Sequence, residues 1–532
     1  MTTAPTSRPP ATRPAERDGF PRTLHAEWTK FRTVRGWVLA TAGALLVTIV
    51  VGLLGTAAPA PGGRGAHSAA YPKGPGGEAV NDSFYFVHRT LTGDGTLTVA
   101  LQSLTGTADT DTGTDTDTGT GTGTGRTARS AQPWAKAGII VKEGLTQGSP
   151  YAAVMATGGH GVRMQYNYTH DTAGPLSKAA PEYPRQLRLV RSGDSLTGYT
   201  STDGSHWTKA GHAKLPGLAR TVQAGLFATS PEAKQNTATG TGFSPAVATG
   251  TFGRPALTGN WSQSAWRGTQ VSGDAGTSGS YTNTTKGDFT PTSGGGYTVT
   301  GAGDIAPVVG GPVMGAGFTV ENFLVGTFAG LIVLAAVSTV FITGEYRHGL
   351  LRTTMTATPL RGRVLGAKAL VAGGIASVTG LIAAAITLAL GEHSTRGRGF
   401  RILPVTSATE ARVMAGTGLL CAAAAVLALA VGTLLRRSGT AITLVIASIV
   451  LPFLLATSGV LPPGVSQWLL RVTPAAGFAV QQTLPQYAQV LSVYEPSTGY
   501  YPLAPWAGLA VLGGYAAIAF GLAVVRLRRR DV

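Results

Sequence analysis

Six apolar stretches, 36–58, 320–343, 364–391, 411–435, 439–461 and 505–526, constrain this 532-residue chain more than any other feature. At ~1.5 Å per residue, about 20 residues in a helix cross a ~30 Å hydrocarbon layer. The stretches carry almost no charge, while basic residues crowd their flanks. Segments of that kind face lipid as helices, because only a helix or a closed barrel satisfies its backbone there. The net charge of +17 is spread over the ends of these stretches and forms no basic patch interleaved with aromatics, which argues against a nucleic-acid partner. The single cysteine, Cys421, lies inside an apolar stretch, so no intrachain disulfide can form.

Read in order, residues 1–19 are rich in Pro, Thr and Arg and predict a disordered tail. Between 20 and 35, Phe20, Leu24, Trp28, Phe31 and Val34 recur at spacings of three and four with Glu27, Lys30, Arg32 and Arg35 between them. This predicts an amphipathic helix whose basic face meets the headgroups at the cytoplasmic interface. The first span, 36–58, reads as an uncleaved anchor. Residues 391–408 form a loop, and the Arg436-Arg437-Ser438-Gly439 sequence turns the fourth span into the fifth. The segment 462–504 holds an apolar run broken by Pro474 and Gly477, which predicts an external re-entrant or interfacial helix. The sixth span, 505–526, is followed by a tail, 527–532. Basic residues concentrate in the N-terminal tail, the 344–363 loop, the Arg436-Arg437 turn and the C-terminal tail, so the positive-inside rule places both termini in the cytoplasm of a multi-pass plasma-membrane protein. In the sixth span, Gly513, Ala517 and Gly521 recur every four residues and predict close helix packing.

The block 59–319 changes character to Gly, Thr and Ser with short alternating apolar runs. It predicts an all-β sandwich with strands near 83–89, 95–101, 137–142, 152–156, 162–168, 186–191, 195–201, 206–210, 222–229 and 297–300. Residues 105–130 read as a flexible insert, because their Asp-Thr and Gly-Thr repeats have almost nothing to bury. The Trp-Ala-Lys-Ala-Gly-Ile-Ile-Val-Lys sequence at 134–142, Leu-Arg-Leu-Val-Arg-Ser-Gly-Asp at 187–194 and Ser-Thr-Asp-Gly-Ser-His-Trp-Thr at 201–208 resemble concanavalin-like modules found beside carbohydrate-active enzymes. That resemblance implies a sandwich and leaves an extracellular glycan open as a ligand. Asp94, Glu143, Asp194 and Asp203 show no pairing as acid and base, and His88, His160, His170 and His206 lack metal-ligand spacing. The expectation is therefore no catalytic residue, no cofactor and no metal. The fold class expected is an α-helical polytopic membrane protein of six transmembrane helices with an inserted all-β sandwich ectodomain.

Between the second and third spans, 344–363 reads as a short cytoplasmic turn. Its Glu-Tyr-Arg-His-Gly-Leu-Leu-Arg-Thr-Thr run at 345–354, the Thr-Pro-Leu-Arg-Gly-Arg-Val at 358–364 and the Ala367-Lys368 pair resemble the first cytoplasmic loop of ABC-2 type exporter permeases. The Glu-Trp-Thr-Lys-Phe-Arg-Thr-Val-Arg sequence at 27–35 is similar to the connecting helix before their first span. The resemblance implies a permease subunit coupled to a separate cytoplasmic ATPase through Glu345, Tyr346, Arg347, Gly349 and Arg352. It also implies pairing with a second copy or a sister permease.

No Gly-x-x-x-x-Gly-Lys-[Ser/Thr] phosphate loop occurs in the sequence, so ATP hydrolysis has to come from another chain. Proton- or sodium-driven transport would need titratable groups within the spans, and the spans read as having essentially none. Membrane lipid is the remaining partner. Charge reversal at Glu345 or Arg347, both outside the hydrocarbon, is expected to leave folding nearly unchanged. The alternative reading is a membrane-anchored sandwich that binds or senses cell-wall glycans.

Overall fold

The computed structural model describes residues 19–56, 71–110, 126–128, 131–174, 183–237, 240–271, 287–310, 317–347 and 361–529. Six helices in it are long and apolar enough to cross a membrane: Arg35–Gly55, Val320–Arg347, Arg361–Gly397, Ser407–Leu435, Ser438–Thr457 and Pro505–Arg529. A shorter helix, Phe20–Thr33, precedes the first span and is set off from it by extended Val34. The second span opens with a capping box, Thr319 and Asn322 satisfying each other's ends, and tightens through a 3₁₀ turn at Leu324–Gly326. The fourth span packs along its length against both the third and the second. Leu331, Leu420, Ala424, Ala428, Phe453 and Phe478 are buried where these spans meet the fifth and the chain that follows it. The fifth span carries Pro452 internally.

Small residues decide where backbones touch. A Cβ at Gly326 would lie 2.1 Å from the Thr48 carbonyl of the first span, and one at Gly508 would lie 2.2 Å from the Ala476 carbonyl. The stripe singled out in the sequence behaves otherwise. A Cβ at Gly513 or Gly521 would meet no atom within 4 Å, so among the described residues that face of the sixth span is open and the close contact falls five residues earlier, at Gly508.

The segment after the fifth span does two things. Pro463–Val472 forms a helix, and Pro474–Gln481 forms a 3₁₀ stretch buried along its whole length, with Phe478 stacked on Phe453 at 3.9 Å between ring centroids. Pro474 lacks the N–H that would continue the preceding helix, and Gly477 lets Leu512 and Leu420 approach.

Between the first and second spans lies the β domain, built around one long strand, Phe84–Thr110. Its first half pairs with Thr221–Thr229 and Arg267–Val271, and its second half pairs with Arg185–Ser192, Ala246–Phe252 and Ala256–Trp261, all antiparallel. One strand thus serves both layers. The sequence suggested two strands with a break near Gly93; Gly93 takes a positive φ of 75°, so the strand swings from one layer to the other without ending. Val87, Leu97, Val99, Ile139, Val154, Leu189 and Leu226 fill the space between the layers. The strand expected at 162–168 stops at Tyr166, because Asn167 and Tyr168 both adopt positive φ in a turn. The insert expected at 105–130 begins later: Thr105–Ala108 continue the ladder opposite Ala246–Thr249, and Thr110 pairs with Arg126. Residues 111–125 lie outside the described residues. The Gly- and Thr-rich stretch beyond Ser244 supplies strands Ala246–Phe252, Ala256–Trp261 and Arg267–Val271; Phe252 and Trp261 join this core, Val271 joins a second cluster with Phe84 and Phe227, and the sparse apolar residues between them give no clear alternation in the sequence.

The strands by which the chain joins and leaves the domain are neighbours. Val80–Asp82 pairs antiparallel with Ile305–Pro307. Two wholly buried lysines of strand Lys136–Lys142 clamp this pair. Lys142 Nζ lies 2.7 Å from Asp82 Oδ2 and 3.0 Å from the Tyr168 hydroxyl, and Lys136 Nζ bonds Asp304 and the Ile305 carbonyl. The Lys-x-x-x-x-x-Lys spacing puts both side chains on one face of the strand.

The domain also rests on the segments that connect the helices. Gly310 N donates to the Tyr500 hydroxyl at 3.0 Å, and Gln489 Nε2 donates to the Thr169 carbonyl at 3.3 Å. Ala79, Val308 and Leu403 form a small apolar cluster with Tyr71 and Leu484, and the Arg401 guanidinium lies over the Tyr71 ring.

Candidate functional site

At the end of the bundle away from the β domain, four charged side chains converge. Glu27 comes from the N-terminal helix, Glu345 from the last turn of the second span, and Lys368 from about two turns into the third. Lys368 Nζ lies 2.6 Å from Glu27 Oε2 and 2.7 Å from Glu345 Oε1. Lys30 Nζ completes the ring, 2.8 Å from Glu27 Oε1 and 3.2 Å from Glu345 Oε1. Lys368 is fully buried, Glu27 and Glu345 are nearly so, and only Lys30 reaches solvent. Two carboxylates and two ammonium groups leave the cluster neutral. Outside the spans, the Lys30 pKa is displaced by two opposing effects: burial lowers it, and the hydrogen bonds and charges of Glu27 and Glu345 outweigh that and leave it raised.

Aromatic residues seal the cluster. Phe341, Phe31 and Trp37 meet edge to face or tilted at 5.0–5.8 Å, and Lys368 Nζ sits 4.4 Å from the Phe341 centroid. Water is thereby kept from groups that attract more strongly in a low-dielectric setting. The arrangement ties the N-terminal helix to the facing ends of two spans, so a displacement of one is felt by the other two.

Of the residues suggested as a coupling element, the structure brings Glu345 into this cluster. Tyr346 is half-buried, with the Arg436 guanidinium 5.1 Å from its ring. Arg347 is exposed. Gly349 and Arg352 lie outside the described residues. Two expectations are corrected. Glu27 is not part of a headgroup-facing polar face but is 1% exposed and paired with lysines. Charge reversal at Glu345 is not a mild surface change either, since it would set a third cation beside Lys368 and Lys30 with Glu27 as the one carboxylate left in a buried site. The expectation that the spans hold essentially no titratable group also needs revision, because Lys368 lies within the third span and Glu321 and Glu345 mark the two ends of the second.

Lys368 and Glu27 were missed as partners. The signals were present: a lysine inside an otherwise apolar helix is costly unless paired, and Glu27 is the one acid among the basic residues of its helix. What sequence could not supply was that residues 341 positions apart meet.

In the β domain, the acids weighed as catalytic candidates are bound into turns. Asp94 accepts from Gly193 N at 2.7 Å, Asp194 from Gly217 N at 3.0 Å, and Glu143 from Ala219 N at 3.2 Å. Asp203 holds His206 at 2.6 Å; this hydrogen bond raises the His206 pKa and depresses that of the carboxylate. His88 is buried, with Nδ1 2.8 Å from Gln223 Oε1 and Nε2 3.0 Å from Thr269 Oγ1. Desolvation lowers its pKa, with a smaller push from Arg267, and outweighs the Gln223 hydrogen bond. Among the described residues no three His, Cys, Asp or Glu side chains gather as metal ligands.

No family model matches the chain, and no curated protein matches it. Solved structures are similar to parts of it at low scores. A functionally unknown protein from Saccharomyces cerevisiae aligns at 15% identity and TM-score 0.21, over 37% of this chain and 84% of that one. A mutant of the GH43 protein BlXynB from Bacillus licheniformis aligns at 16% identity and TM-score 0.19, over 31% of this chain and 28% of that one. Scytalido-glutamic peptidase with a peptide-based transition state analog aligns at 12% identity and TM-score 0.21, over 43% of this chain and 100% of that one. At such scores these likenesses carry no argument about activity.

Proposed function

We propose that the chain is the permease subunit of an ABC-2 type exporter in the plasma membrane, powered by a separate cytoplasmic ATPase and working beside a second copy or a sister permease. In this reading the β domain stands outside the cell, and the charge cluster lies at the cytoplasmic end. The observation that supports it best is the cluster of Glu27, Lys30, Glu345 and Lys368. A device that converts closure of an external motor into helix motion needs a stiff junction at the motor's end of the bundle, and a neutral, four-membered ion network joining three helices, buried except at Lys30, is such a junction. Arg347, exposed beside it, is the side chain suited to meet the ATPase, and the motif resemblance adds Tyr346, Gly349 and Arg352 to the element. The missing phosphate loop in the sequence fits an external energy source.

The test is affinity purification of the tagged full chain in mild detergent, followed by mass spectrometry. Recovery of a stoichiometric chain bearing a phosphate loop supports the proposal. Recovery of the tagged chain alone contradicts it and shifts weight to a membrane-displayed glycan binder.

A further inference from the structure

At the end of the bundle that carries the β domain, the chain from Gln482 to Pro505 folds over a cavity of about 560 Å³. That volume lies in the range, roughly 300–1,000 Å³, that small ligands and headgroups occupy. Its wall includes Arg412, Gln467, Arg471, Gln482, Tyr500 and Tyr501, and among the described residues no carboxylate.

The helix Pro463–Val472 forms one side and divides its residues among three faces. Ser466 and Leu470 are buried in the bundle. Gln467 and Arg471, four apart and therefore on one face, line the cavity. Val465, Trp468 and Val472 form a third face and are exposed, Trp468 by 59%. Trp506, 53% exposed, follows the Pro505 wall directly. Exposed tryptophans at span ends sit at the boundary between hydrocarbon and headgroups, so the cavity lies at headgroup depth.

The two arginines differ. Arg412 is spent on the protein: its Nη1 and Nη2 donate to the Val480 and Gln482 carbonyls at 2.9 and 2.7 Å. Arg471 is exposed, and among the described residues its guanidinium makes no hydrogen bond or ion pair. It is the cavity's uncommitted guanidinium, with the Gln467 amide beside it on the same helix face. Guanidinium groups bind phosphate oxygens through paired N–H donors.

We infer that this cavity binds a phosphate ester, the headgroup phosphate of a lipid in the adjacent leaflet, through Arg471 with Gln467 beside it. The inference does not rest on the transporter reading. A soluble phosphate ester offers the same chemistry, and the experiment separates the two sources.

The full chain, purified in neutral detergent, is melted with phosphatidylglycerol, with diacylglycerol and with glycerol 1-phosphate, and native mass spectrometry counts retained lipid. Stabilisation by phosphatidylglycerol and not by diacylglycerol is expected. Arg471→Gln should weaken retention about tenfold, the loss of one charged hydrogen-bonding contact. Arg396→Gln, which removes an exposed arginine paired with Glu392 outside the cavity, should leave it unchanged. Stabilisation by glycerol 1-phosphate equal to that by the lipid supports the phosphate site with a soluble source. Equal stabilisation by diacylglycerol, or full retention in Arg471→Gln, overturns the inference.

Discussion

Lys368 Nζ lies 2.6 Å from Glu27 Oε2, and that one contact joins the interior of the third span to a helix that precedes the first. Removing the cation leaves two carboxylates with only half-exposed Lys30 between them. Breaking a buried pair by deleting one partner costs about 3–5 kcal/mol. Lys368→Met should therefore lower the melting temperature of the detergent-purified chain markedly. Adding Glu27→Gln and Glu345→Gln to it should restore most of the loss. A single variant that melts like the parent would show the pairing to be incidental.

Topology can be read by labelling. In a Cys421→Ala background, a cysteine at Gly204 should react with an impermeant maleimide on intact cells, and one at Arg437 only after permeabilisation. The Gly204 turn belongs to the β domain, and Arg437 lies between the fourth and fifth spans, on the opposite side. The reverse pattern would put the charge cluster outside and remove it from any ATPase.

His88 gives the β domain a pH dependence. Its folded pKa lies below its ordinary 6.5. The unfolded chain therefore binds the proton first, and stability rises with pH wherever the unfolded state holds more protons. The contribution should be complete above about pH 6.5 and fall as pH drops toward the folded value. Thermal melts of the full chain between pH 5 and 8 should show this decline in the β-domain transition, and His88→Gln should flatten it. An unchanged slope in the variant would assign the effect elsewhere.

Excision tests how far the β domain is a module. Its joining and leaving strands are paired at Asn81 and Ala306, so replacing 65–315 with a Gly/Ser linker of about ten residues, reaching roughly 17 Å, should give a chain that still inserts. It should melt lower than the parent, because Leu403, Leu484 and the Tyr500 hydroxyl lose the partners the domain supplies. A shortened chain that fails to insert would make the domain part of the bundle's own fold.

How legible all this was in the sequence depended on periodicity. Long uncharged runs announce membrane helices, and alternation announced strands such as Arg185–Ser192, whose inward residues Leu187 and Leu189 are wholly buried. Strands Ala256–Trp261 and Arg267–Val271 escaped because they carry mostly Gly, Thr and polar residues, pair with Phe84–Thr110 and bury one side chain each, Trp261 and Val271, too few for an alternating pattern. The cluster was half legible. Glu345 stood in a recognisable motif, yet its burial depends on Phe31, Trp37 and Phe341 closing over it, a tertiary fact that no local pattern carries.

The most direct test of the central claim is ATP hydrolysis in material purified through a tag on this chain, in parent and Arg347→Glu forms. Arg347 is exposed, so its reversal should leave the melting temperature within about a degree, as surface changes usually do. The permease reading predicts ATP hydrolysis in the parent preparation and a several-fold loss in the variant. Hydrolysis no greater than in an untagged control, or equal rates in both forms, would contradict it.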